Sequence, residues 1–165
     1  MENLEEFQIP KEALEKLKDP AYLRKQVEEG KTFQEILGYN HETMNKFYMA
    51  ARQLFQKQEY LAATDAFIFL STLNPFVSTY WLGLGMSQQL EEDYRCALLS
   101  YGMSILTDVK NPLPHYHSAF CYKALGENAN ALTALDLAIA GCADIEDYGW
   151  LKQHSQKAKN LLQKP

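Results

Sequence analysis

From Pro10 to the C-terminus the apolar residues recur every three or four positions, the stripe of a helix packed by one face. The pattern predicts a short helix from Pro10 with Leu14 and Leu17 on one side. A second helix follows, with Asp19 as N-cap, Pro20 at the first helical position and Gly30 as the stop. Leu14, Leu17, Tyr22, Leu23 and Val27 would form one apolar side across a bend at Pro20. Thr32 and Glu35 have the spacing of a capping box and open a third, short helix that Gly38 closes. Six longer helices are predicted near 43–57, 60–73, 78–90, 94–107, 113–125 and 129–140, with turn signals at Asn74-Pro75, Asn111-Pro112 and Gly126-Glu127-Asn128. A last amphipathic helix over 146–163 carries Tyr148, Leu151, Leu161 and Leu162, and residues 1–9 read as disordered.

The six central helices are not independent. Ala63, Ala97 and Ala131 are 34 residues apart, and so are Ala51, Gly85 and Ala119. Tyr48, Leu82 and Tyr116 follow the same step, as do Phe67, Tyr101 and Leu135, and as do Glu59, Asp93 and Glu127. Small residues at two repeat positions let paired helices approach closely, and the bulky third set fills the space between units. A helix pair of this kind cannot bury its apolar face alone, so stacked neighbours complete the core. The fold class is therefore all-α, with three tandem helix-turn-helix units at 44–77, 78–111 and 112–145. A helical segment, 1–43, precedes them, and 146–165 caps the end of the resulting short right-handed solenoid.

Composition narrows the function. At 47% hydrophobic and 22% charged residues the chain is an ordinary globular one. Its net charge of −5 argues against nucleic acid or an anionic membrane as direct partner. Nowhere do 18 apolar residues run together, and the acidic N-terminus lacks the apolar stretch of a secretory signal, so a cytoplasmic location is expected. Cys96, Cys121 and Cys142 are odd in number and widely spaced, which fits burial as small apolar side chains better than a disulfide or zinc framework. His115 and His117 are two apart and point to different helix faces, a poor start for a metal site. Cys121 stands four residues after His117, but no third group orients the pair. No phosphate-binding glycine motif is present. No enzyme and no cofactor are expected.

A 34-residue helical pair with a bulky residue at position 4, small ones at 8 and 20, an aromatic at 24 and proline at 32 resembles the tetratricopeptide repeat. Phe47, Ala51, Ala63, Phe67 and Pro75 supply the set in the first unit, and Trp81, Gly85, Ala97 and Tyr101 in the second. The third, with His115, Ala119, Ala131 and Leu135, is the most degenerate, and Val109 and Ala143 replace the prolines. The order of parts, with Gly30-Lys31-Thr32-Phe33 before the repeats, Met44 to Phe55 and Glu59 to Leu70 within the first, and Leu82-Gly83-Leu84-Gly85 in the second, is similar to the class II chaperones of bacterial type III secretion, the SycD/LcrH-like group.

The resemblance implies a bacterial, cytoplasmic chaperone that holds hydrophobic translocator proteins soluble and unassembled before secretion, and it implies a possible homodimer through the N-terminal helices. It also implies a concave groove. Carried over position by position, the groove residues are Tyr48, Arg52 and Phe55, then Leu82, Met86 and Leu90, then Tyr116 and Phe120. Trp81 is expected nearby. The alternative is a generic tetratricopeptide adaptor. Adaptors that clamp a terminal carboxylate carry lysine and asparagine where this chain has Tyr48 and Arg52, whereas an apolar groove suits an extended P-x-L-x-x-P type segment. Apolar anchors would contribute about 1.5–3 kcal/mol each before ordering costs, which sets micromolar affinity as the ceiling for a short peptide.

Overall fold

How closely the helices approach is decided by residues with little or no side chain. A computed structural model describes residues 11–142 and 148–163, and within them there are ten helices and no strand. They are α1 (Lys11–Leu17), α2 (Pro20–Glu28), α3 (Phe33–Leu37), α4 (His41–Gln56), α5 (Tyr60–Leu73), α6 (Ser78–Leu90), α7 (Tyr94–Thr107), α8 (Leu113–Ala124), α9 (Asn128–Gly141) and α10 (Gly149–Leu162). From α4 onward each helix packs chiefly on its sequence neighbours, the arrangement of a solenoid. The spans predicted at 60–73, 78–90 and 94–107 coincide with α5, α6 and α7.

The repeat set forms the core. Ala51, Ala63, Ala97, Ala119 and Ala131 are buried, and so are Phe67, Tyr101 and Leu135. Gly85 shows why the second unit needs its smallest residue there: a Cβ on it would lie 2.6 Å from the Tyr101 ring. Tyr101 keeps its hydroxyl satisfied by donating to Gln89 Oε1 at 2.6 Å. Cys121 and Cys142 are buried free thiols, in line with the apolar role expected of them, whereas Cys96 is only half-buried.

The turns inside the three pairs are built alike. Glu59, Asp93 and Glu127 donate their backbone N–H to the carbonyls of Leu54, Gln88 and Tyr122 at 3.0, 2.9 and 2.9 Å. The residue before each has left-handed backbone: Gln58 at φ +63°, Glu92 at φ +64° and Gly126 at φ +77°. Only the third unit places glycine where this conformation favours it.

The N-terminal segment departs from expectation. Asp19 caps α2, accepting from Ala21 N–H at 2.9 Å, and Thr32 and Glu35 form the capping box. Leu14 and Val27, however, are exposed, while Ala13 and Gln26 are buried. Leu17, Tyr22 and Leu23 are half-buried, so the apolar side expected across α1 and α2 holds only in part. Ala13 joins Leu37 and Tyr39 in the first core cluster. At the other end Leu151 and Ser155 are buried, and Lys159 Nζ meets Asp136 Oδ1 at 2.6 Å, tying α10 to α9. Residues 1–9, which the sequence reads as disordered, Ala143 and the expected helix start at 146 lie outside the described residues.

Gly126→Ala should cost about 1 kcal/mol, because a Cβ is disfavoured at positive φ, whereas Glu92→Gly should be neutral or stabilising by a similar amount. Urea unfolding of the two variants measures both signs.

Candidate functional site

Helices α4 and α6 lie side by side and present residues spaced three and four apart to the gap between them. Tyr48, Arg52, Phe55 and Gln56 come from α4, and Thr79, Leu82, Gly83 and Met86 from α6; together with Phe67 of α5 they line a cavity of about 410 Å³. Phe67 is its floor. A Cβ on Gly83 would lie 2.4 Å from the Phe67 ring, so this ring can sit against α6 only because position 83 is glycine. Tyr48 forms the wall. Its ring meets Phe67 edge-on at 6.2 Å and Tyr80 at 5.7 Å. Phe55 is held by Tyr60 at 5.6 Å. The guanidinium carbon of Arg52 stands 5.9 Å above the Tyr48 ring, a cation–π contact.

Five of the predicted groove residues, Tyr48, Arg52, Phe55, Leu82 and Met86, thus line one cavity. The other three do not reach it. Leu90 is exposed at the end of α6. Tyr116 and Phe120 belong to a second aromatic group on α8, with rings 4.9 Å apart, and Tyr116 also meets Trp150 of α10 at 6.4 Å. Phe120 borders a smaller cleft of about 80 Å³ with Ala119, Lys123, Leu135, Ala158, Leu161 and Leu162. Trp81 lies away from both cavities: it packs on the first core cluster, and its indole N–H donates to Pro75 O at 2.7 Å. The residues missed by sequence reasoning are Phe67, Gly83 and Trp150. Gly83 could have been found, since Met49 and His117 hold its place in the other units.

His117 shows what that place can hold. It stacks on Tyr101 with centroids 5.7 Å apart, and burial pushes its pKa down to about 4. His115 is shifted the same way by desolvation. Burial also pushes the Cys121 thiol up to about 11, so it is no ready nucleophile. Among the described residues no group of three His, Cys, Asp or Glu side chains could hold a metal, and no helix is long and apolar enough to cross a membrane.

No family model matches the chain. It is 30% identical over 122 residues to low calcium response locus protein H of Yersinia pestis, covering 74% of this chain and 71% of that protein. The chain belongs to the SycD/LcrH family of class II type III secretion chaperones. Its fold agrees with that family. Yersinia enterocolitica SycD, in complex with a peptide of the translocator YopD, is 28% identical with a TM-score of 0.72, over 74% of this chain and 94% of that one. Pseudomonas aeruginosa PcrH, in complex with the chaperone binding region of PopD, is 26% identical with a TM-score of 0.75, over 76% and 94%. The solenoid of this chain is built from helix pairs, and the cavity between α4 and α6 is part of its surface.

The low His117 pKa predicts a pH dependence. Between pH 6.5 and about 4 the unfolded chain takes up a proton that the folded one refuses. Stability present above pH 6.5 is therefore lost as pH falls towards 4, by up to about 3 kcal/mol from this residue. Urea unfolding from pH 7.5 down to 4.5 should show this decline, and His117→Phe should flatten it.

Proposed function

We propose that this chain is a cytoplasmic chaperone of a bacterial type III secretion system, binding hydrophobic translocator proteins through an extended segment laid in the concave groove. The observation that carries the reading is the open apolar cavity of Tyr48, Phe55, Phe67, Leu82 and Met86, in a fold that SycD and PcrH share. A client's leucine or proline side chain placed there is removed from water, and the client is kept unassembled until secretion. Leu90, Tyr116 and Phe120 would take later parts of the same segment. The role is one of binding without turnover.

In this reading residues 44–145 form the binding solenoid, 146–165 close its end and 1–43 supply a homodimer surface. Leu14, Val27 and Phe33, exposed on α1 to α3, support the last point.

Thr79 is exposed at the cavity's rim and belongs to no core cluster. Thr79→Trp should fill the cavity, leave the unfolding midpoint unchanged and weaken a labelled P-x-L-x-x-P peptide at least about tenfold, the loss of roughly one apolar anchor. Fluorescence anisotropy of the peptide reads the affinity. Unchanged binding by the variant would remove this cavity from the site.

A further inference from the structure

The chain carries 21 Asp and Glu against 16 Lys and Arg. Its groove has the opposite sign. No carboxylate lines the cavity between α4 and α6, and its one charged residue is Arg52. The cleft beside α8 repeats the pattern: it is apolar apart from Lys123, again with no carboxylate. The two cations lie on equivalent faces, since Phe120 and Lys123 stand two repeats on from Arg52 and Phe55. Both are exposed, and among the described residues neither has a carboxylate within ion-pair distance. Other cations of this chain do meet carboxylates: Lys18, Lys25, Lys31, Lys46 and Lys159 pair with Glu15, Glu29, Glu42 or Asp136.

Arg52 is also positioned. Its guanidinium stands over the Tyr48 ring, which restrains the side chain at the cavity wall and leaves its N–H edge free. That edge matches a carboxylate in a bidentate arrangement, which an amide or hydroxyl cannot reproduce.

We propose that the segment this groove accepts carries carboxylate side chains beside its apolar anchors, one received by Arg52 and a second by Lys123. The inference rests on the groove reading above and adds the chemistry of the occupant. Side-chain carboxylates fit better than a chain terminus, because cations two repeats apart cannot share one terminal group. Such charges would set the direction and register of a segment whose leucine and proline anchors alone could slide.

Two synthetic peptides with identical spaced leucine and proline anchors test it, one with aspartate at the intervening positions and one with asparagine. At low salt the aspartate peptide should bind about three- to tenfold tighter, the yield of one or two exposed ion pairs, and the difference should shrink at high salt. Arg52→Gln combined with Lys123→Gln should abolish the preference, so that the aspartate peptide binds no tighter than the asparagine one. Arg52→Glu should turn it towards a lysine peptide. Equal affinity of the two peptides for the unaltered chain overturns the inference and leaves the groove reading standing. A preference that survives in the double variant overturns the assignment to Arg52 and Lys123. Binding of neither peptide, with native thermal melts, overturns the groove reading and the inference together.

Discussion

Two rings seated against two glycines govern this molecule. Phe67 rests on Gly83 from one side of α6, and Tyr101 rests on Gly85 from the other, each in space that a Cβ would occupy. Helix α6 is thereby clasped between α5 and α7. The close approach brings α4 and α6 into register, and with Tyr48 braced on Phe67 the gap between them becomes a defined cavity rather than loose surface. The same ring forms part of the core and the floor of the site, so packing and binding are properties of one contact. A side chain at position 83 would press the ring out of place, and both would suffer.

The 34-residue step was legible because each unit must solve the same packing problem, and small and bulky residues mark the solution. Hence α5, α6 and α7 fall where the apolar pattern predicts, and Tyr48, Arg52, Phe55, Leu82 and Met86 share one face. Depth was not legible. Position in a helical repeat tells which way a side chain leaves its helix, but not which neighbour stands beneath it. The repeat step therefore marks Phe67 only as inter-unit filling. Trp81 was expected near the groove, yet it is drawn into the core, where Pro75 O satisfies its indole N–H. Tyr116 and Phe120 are on α8 as expected, but the closing helix α10 brings Trp150 and Leu162 against that group, and the three-unit pattern does not say which of its side chains dock there. The apolar stripe expected across α1 and α2 holds at Leu17, Tyr22 and Leu23 but not at Leu14 and Val27, which are exposed.

Electrostatics add a second layer. An acidic surface keeps such chains apart and in solution, whereas the groove keeps two cations without carboxylates beside them. An apolar floor gives attraction without direction, and fixed charges at its edges give register. The combination suits a protein that must hold one stretch of a sticky client and later release it, because modest contacts spread along a groove can be surrendered in sequence.

The most direct test is to see which side chains a client segment touches. With methyl-labelled methionine and leucine, a titration with a P-x-L-x-x-P peptide followed by nuclear magnetic resonance reads Leu82 and Met86, both lining the cavity, against Leu99 and Leu106, both exposed on α7. Large shifts at Met86 and Leu82, with peptide contacts to the rings of Tyr48 and Phe67, are the predicted result. Shifts confined to Leu99 and Leu106, with Met86 unmoved at saturation, would contradict the account.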